Sequence, residues 1–203
     1  MGLKARSTGG NKGEQAPAGT HMARLVGLVD LGHQPGYVYE GKQVESKFKI
    51  LFLYELVDTA MEDGRPFWVE ESVNVSDYEP KQKGKVSSTM MLRVRTLDGY
   101  DGVSDNGNNL AALIGKTCMV TSYQKDNGYA AIQTVAGMPQ GMNVTELKNT
   151  PVTFNMDETD VDTFLKFPEW RQTNIKRALD FEGSAIQGAL LAQGHDTTSQ
   201  PDV

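Results

Sequence analysis

Cysteine is almost absent from this 203-residue chain: Cys118 stands alone, so no internal disulfide can form and a reducing compartment is the expected setting. The three histidines, His21, His33 and His195, are scattered without the spacing of metal ligands. No run approaches the ~20 apolar residues of a membrane span, and no signal-type apolar region follows the start. Met1-Gly2 opens like a myristoylation signal, but Arg6 stands where Ser or Thr is required. Positive charge is scarce: 20 Lys and Arg against 26 Asp and Glu leave a net charge of −6. That excludes a surface basic enough to bind duplex DNA everywhere, while leaving room for a local basic groove. Catalytic signatures are missing too, with no G-x-S-x-G elbow, Walker loop or H-E-x-x-H. The expectation is a soluble intracellular protein, not an enzyme, with no metal and no cofactor.

Apolar residues make up 38% of the chain, enough for one core with unburied ends. Residues 1–20 carry Gly, Lys, Ser and Pro with almost nothing to bury, and read as a disordered arm made basic by Lys4, Arg6 and Lys12. Residues 21–142 read as one domain. Its first strand is Ala23–Leu31, with Leu25, Val29 and Leu31 expected on one face and Gly27 marking a bend or bulge. A loop with turn signals at Pro35-Gly36 and Glu40-Gly41 leads to Ser46–Val57. There Phe48, Ile50, Phe52, Tyr54 and Leu56 share one face, and the other turns apolar at Leu51 and Leu53. After the turn Asp63-Gly64 comes a third strand, Phe67–Ser76, with Phe67, Val69, Val73 and Val75 in register. A helix follows, capped at Ser87 or Ser88 and carrying Met90, Val94 and Leu97. A shorter helix at Leu110–Ile114 precedes strands Thr117–Gln124 and Tyr129–Val135, joined by Asp126-Asn127-Gly128. Cys118 alternates with Val120 and belongs in the core.

Residues 143–192 read as an acidic helical extension, and 193–203 as a disordered tail. Val161, Phe164 and Leu165 mark one helical face; Trp170, Ile175 and Leu179 mark another, which places Trp170 in the core. Residues 150–203 hold nine acids against four bases. Two readings of this segment stand: a solvating cap, or a nucleic-acid mimic that folds over a basic groove or recruits basic partners.

Three strands, a helix and two more strands at this size are the layout of the OB-fold, a five-stranded Greek-key barrel. The expected fold class is mainly β, such a barrel with inserted helices and a C-terminal helical extension. OB-folds bind oligonucleotides on the face of their second and third strands and on the loops joining strands 1–2 and 4–5. Single-strand binders need cations for phosphates and flat side chains for bases. The first loop carries Tyr37, Tyr39 and Lys42, and the second strand opens with Lys47 and Lys49. The third strand holds Trp68, out of register with Phe67 and Val69, and the last hairpin holds Tyr123, Lys125 and Tyr129. Lys81, Lys83, Lys85, Arg93 and Arg95 form either a solvated face or a further phosphate-contact surface. The acidic pairs and clusters, Glu70-Glu71 and Asp157-Glu158-Asp160-Asp162, are what a metal-dependent nuclease would use. They read more simply as strand-edge charges and helix N-terminal acids.

The segments GTHMARLVGLVDLGHQ (Gly19–Gln34), KFKILFLYEL, LIGKTCMVTSYQKDNGYAAIQTVAGMPQGM (Leu113–Met142) and PVTFNMD…FPEW (Pro151–Trp170) resemble a family of tailed-bacteriophage single-stranded DNA-binding proteins with an OB-fold. The resemblance spans roughly residues 1–191. It implies a protein that coats and protects exposed single strands during phage DNA replication or recombination in the host cytoplasm, with replication proteins as partners through the acidic C-terminal segment. The chain departs from bacterial single-strand binders at its end, Ser199-Gln200-Pro201-Asp202-Val203, which lacks their acidic, Phe-terminated tip. The rival expectation is a protein-binding virion or assembly module.

Overall fold

The run LFLYEL in the middle of β4 (Lys47–Ala60) is buried at every position, so both faces of this strand need covering, and the architecture follows from that need. The computed structural model describes residues 13–75, 88–98, 109–142 and 144–198. Besides β4 the strands are β1 (Gly19–Gln34), β2 (Tyr37–Tyr39), β3 (Lys42–Val44), β5 (Pro66–Asn74), β6 (Thr117–Gln124), β7 (Ala130–Ala136) and β8 (Val152–Phe154). The helices are α1 (Thr89–Asp98), α2 (Val161–Lys166), α3 (Glu169–Lys176) and α4 (Ala185–Ala192), with a 3-10 turn at Leu110–Leu113. The fold is mainly β. Strands run β5-β4-β1-β6-β7 in an antiparallel path, and β8 joins β1 in parallel. Among the described residues no hydrogen-bonded ladder closes the sheet, although its end strands β5 and β7 come within 8 Å of each other. No helix among the described residues is long and apolar enough to cross a membrane.

β1 is the spine. One of its edges pairs with β4 from Ala23 to Gln34; the other pairs with β6 over Gly19–Arg24 and then with β8 over Gly27–Val29. Two register shifts, between Leu25 and Gly27 and between Asp30 and Gly32, bend it. The first shift overturns the expectation that Leu25, Val29 and Leu31 share a face. An extra residue at Val26 reverses the alternation, so Leu25 and Leu28 face one core while Val26, Val29 and Leu31 face the other.

The first core lies on one face of the sheet. Ala23, Leu25, Phe52, Tyr54, Leu56, Phe67, Val69, Val73, Cys118 and Val120 meet Met90, Val94 and Leu97 of α1 there. Phe48 is only half-buried, edge-on to His33 at 5.2 Å, and Val75 is exposed, so the expected inward rows fade at the strand ends. Within this core the Tyr54 hydroxyl donates to Glu71 (3.0 Å) and Arg93 holds Glu71 with two nitrogens. Burial and the Glu71 carboxylate push the Tyr54 hydroxyl well above its ordinary pKa, which keeps it a donor.

The second core covers the opposite face of β1 and β4. Val26, Val29, Leu31, Leu51 and Leu53 pack against Phe154, Met156, Phe164, Phe167, Ile175, Phe181, Ile186 and Leu190. The segment read as an acidic helical extension thus packs against the sheet. Two glycines make its approach close enough. A Cβ on Gly27 would stand 2.9 Å from the Val152 carbonyl oxygen; one on Gly32 would stand 2.3 Å from Met156 Cε and 2.4 Å from Asp180 Oδ1. Gly32 also adopts a φ of +67°, which L side chains rarely do.

Polar clamps fix the cover. Buried Glu55 accepts hydrogen bonds from the Lys148 amide (2.7 Å), the Asn149 amide (3.1 Å) and Asn149 Nδ2 (2.6 Å). Arg24 donates to the carbonyls of Gly115, Val144 and Thr145. At the other end Asp30 accepts from the Met156 amide, Asp180 accepts from the His33 amide, and the Leu179 amide donates to the His33 carbonyl. The arm expected over residues 1–20 is also shorter than read. Gly19 and Thr20 belong to β1, Ala16 is buried in the first core, and Gln15 Oε1 accepts from the Ala130 amide. Lys4, Arg6 and Lys12 lie outside the described residues, as does the tail beyond residue 198.

Two outcomes follow from this packing. Burial pushes the Cys118 thiol up to about 12, so the native chain should resist iodoacetamide at pH 8 and react in denaturant; equal rates in both would contradict the packing. Glu55→Ala strips three donors of their acceptor, and should lower stability by about 2–4 kcal/mol in urea unfolding. An unchanged midpoint would show that the clamp contributes nothing.

Candidate nucleic-acid interface

Antiparallel strands that alternate lysine with apolar residues present cations only on the face left open. In this chain the expected open face, that of β4 and β5, is largely taken. The outer side of β4 carries Leu51, Leu53 and Glu55, all buried beneath the C-terminal segment. What remains accessible is a seam between β5 and α3 together with the two hairpins, and the candidate residues divide among these places.

The first hairpin holds the most exposed ones. β2 and β3 pair as their own two-stranded sheet, turned at Glu40 (φ +48°) and Gly41 (φ +74°), the tight geometry that matches strand twist. Tyr37 and Tyr39 are 57% and 61% exposed, with Val38 between them and Lys42 opposite Tyr39 in register. The stretch expected as a loop is thus a short ordered projection. At its foot lies a cleft of about 600 Å³ lined by His33, Lys47, Phe48, Asn74, Val75, Ser88 and Thr89. Lys47 is exposed.

Lys49 is half-buried in the seam, in a cleft of about 350 Å³ shared with Gln34, Glu70, Ser72, Trp170 and Asn174. Trp170 is 51% exposed, contrary to the expectation of a core residue. The inward positions of α3 are Arg171 and Ile175, four residues apart, so Trp170 is rotated outward by one position. Leu165 and Leu179 are likewise exposed. The Arg171 guanidinium stacks on the rings of Trp170 (4.9 Å) and Phe167 (5.3 Å) and donates to Glu70 at 2.5 Å. Burial pushes Glu70 up and Arg171 down, in each case against the pull of the partner.

Trp68 faces outward as expected and is 37% exposed. It lines a cleft of about 690 Å³ between β5 and the α2–α3 junction, with Lys166 and Arg171 on the same lining. Tyr123, Lys125 and Tyr129 are exposed on the last hairpin. That hairpin stands beyond the Gly19 end of β1, whereas the tyrosine hairpin stands beyond its Gln34 end. The structure therefore brings Tyr37, Tyr39, Lys42 and Lys47 together, sets Lys49 and Trp68 along the seam, and holds Tyr123, Lys125 and Tyr129 apart from the tyrosine hairpin.

The further cations divide as well. Arg93 is spent on Glu71 inside the first core, so it is unavailable to phosphate. A half-buried arginine facing an inward glutamate satisfies that charge better than solvent would. Arg95 is half-buried on α1. Lys81, Lys83 and Lys85 lie outside the described residues.

The acidic groups have structural partners. Adjacent strand residues face opposite sides, so Glu71 points into the first core while Glu70 reaches Arg171 on the outside. Asp160 caps α2 by accepting from the Thr163 amide (3.0 Å), and hydrogen bonding from Thr163 holds its carboxyl below the usual range. Among the described residues no three His, Cys, Asp or Glu side chains are grouped to hold a metal ion. A cavity of about 450 Å³ beside β8 is rimmed by Asp30, Asp157, Glu158 and Asp180 over an apolar floor of Leu28, Ile50 and Phe154. That rim repels phosphate.

Arg171, Lys166 and the outward Trp170 are the residues that sequence reading passed over. Their signal was present in the four-residue spacing of Arg171 and Ile175, but an arginine in a core-facing position is not what an apolar pattern selects. No protein-family model, no curated protein and no solved structure matches this chain.

Proposed function

We propose that this chain is a single-stranded DNA-binding protein built on an OB-type barrel, one that coats exposed strands in phage replication or recombination in the host cytoplasm. The observation that carries the reading is the tyrosine hairpin: two exposed rings on a two-stranded hairpin, with Lys42 beside them and Lys47 at their foot. Flat rings accept any base by stacking, and ammonium groups follow the phosphates, which gives sequence-tolerant binding. The strand order supports the barrel. A bent first strand pairs on both edges, a helix fills the core between the third and fourth barrel strands, and the end strands β5 and β7 approach.

The packed C-terminal segment restricts the reading. Bases cannot lie across the β1–β4 face, so contact falls to the hairpins and the seam, with Tyr37, Tyr39, Lys42 and Lys47 as the principal set. The segment's exposed acids, Glu169 and Glu182 among them, stay available to basic protein partners. The exposure of Val38, 67%, favours a second reading, in which the hairpin docks a protein in a virion or assembly role.

Gel shifts with single-stranded DNA, duplex DNA and RNA separate these readings. Under the first, single strands are retained with an affinity that falls steeply as salt rises, and each lysine removed (Lys42→Ala, Lys47→Ala) lessens the log–log salt slope by about 0.7. Tyr39→Ala should weaken binding by roughly 1–3 kcal/mol. No retention at low salt, or a Tyr39→Ala variant with unchanged affinity, would remove the hairpin from the interface.

A further inference from the structure

We infer that single-stranded DNA runs from the tyrosine hairpin across the uncovered corner of the sheet to Trp170, where one base stacks on the indole and a neighbouring phosphate meets Lys49. The inference rests on the single-strand reading and extends its site onto the C-terminal cover.

Connectivity sets the two places close together. Lys47 pairs with Gln34 of β1 and Lys49 with Gly32, so the two lysines occupy alternate positions of β4 and share a face. At a rise of about 3.3 Å per residue their Cα atoms stand about 7 Å apart. Gln34 lines the seam cleft with Lys49 and Trp170, and Tyr37 follows it by three residues. Three residues reach at most about 11 Å, so a few nucleotides bridge the hairpin and the seam.

Trp170 is the observation that makes this corner a stacking place. Its indole is 51% exposed. The Arg171 guanidinium lies over the ring at 4.9 Å, and Glu70 holds that guanidinium in turn at 2.5 Å. The ring is backed by a buried arginine on one side and open to water elsewhere, a condition in which a base can stack on it.

Charge at the seam suits a polyanion. Lys49 is half-buried on the cleft lining, and its ammonium forms no ion pair or hydrogen bond among the described residues. The acid of the lining, Glu70, is paired with Arg171, so those two cancel and Lys49 is the charge left over. Glu169 precedes Trp170 in α3 but lies outside the lining. Ser72 and Asn174 supply neutral donors and acceptors that fit any base edge. An apolar partner would leave the Lys49 charge uncompensated, and a simple anion would leave the indole bare. A nucleotide strand meets both.

The test uses the full chain with Trp68→Phe, which leaves Trp170 as the sole tryptophan. Oligo-dT should quench its emission. In gel shifts of the parent chain, Trp170→Ala should weaken oligo-dT binding about tenfold or more, and Trp170→Phe should restore most of that loss. Lys49→Ala should lessen the log–log salt slope by about 0.7, a readout that a purely structural role would not move. Oligo-dT retained in the gel with Trp170 emission unchanged, and with Trp170→Ala binding like its parent, overturns the inference and leaves the single-strand reading standing. No retention of oligo-dT at low salt overturns both. Trp170 emission that shifts with protein concentration and ignores oligo-dT assigns the indole to a second copy of the chain and overturns the inference. An unchanged salt slope in Lys49→Ala overturns the phosphate contact.

Discussion

A strand that is apolar on both faces cannot sit at a surface, and β4 is such a strand. Phe52, Tyr54 and Leu56 look into the first core while Leu51 and Leu53 look the other way, all of them buried. An antiparallel sheet usually leaves one side to water. Here water on the second side would strand a row of large aliphatic groups, each worth about 1.5–3 kcal/mol when buried. The C-terminal segment exists in its packed form because of that row. Its phenylalanines Phe154, Phe164, Phe167 and Phe181 form the complementary surface. The attraction between sheet and cover is therefore apolar, and a nucleic-acid mimic held by charge is not what the contact requires. Ion pairs across it run in both senses, Glu70 of β5 with Arg171 of α3 and Arg24 of β1 with Glu146.

Apolar contact alone does not specify register, and the polar clamps do. Glu55, Arg24 and Asp30 each take backbone partners from the cover or the segment leading to it, and Asp180 of the cover accepts from the His33 amide of β1. Backbone partners fix the relative position of two chains in a way that side-chain packing leaves loose. The bulges in β1 serve the same end. Gly27 and Gly32 sit where the register shifts, and both are positions at which a Cβ would collide with the cover. Bending the spine and admitting the cover are thus one structural device.

Period-two alternation made the strand order legible, and the glycine turns at Asp63-Gly64 and Asp126-Asn127-Gly128 marked the hairpins. The placement of Trp68 outward followed from its neighbours Phe67 and Val69, and it held. The irregularity at Gly27 was legible in the glycine, but its effect on the faces was not, because one extra residue in β1 changes parity without changing composition, and so Leu25 and Val29 were put on one face. The cover was only half-legible. Leu51 and Leu53 announced a second apolar face, yet its partners come from short pieces separated by acids, which read as solvated helices. Trp170 went astray for a related reason: hydrophobicity chooses the indole for the core, whereas the fold buries the Arg171 stem and uses Trp170 and Phe167 as the plates that hold its guanidinium.

Covering the β1–β4 face narrows what this scaffold can grip. An open OB face accepts a strand lying broadly across it, and affinity then accumulates from many loosely placed contacts. With that face closed, the accessible rings are set on ordered supports: a two-stranded hairpin with its turn fixed at Glu40-Gly41, and a tryptophan on β5 against a helix junction. The acidic chain as a whole repels a polyanion, and that repulsion is weakest where carboxylates are already paired with arginines, as they are at Glu70 and Glu71. The acids of β5, Glu70 and Glu71, are paired with arginines of the chain, while Lys42, Lys47 and Lys166 stand exposed.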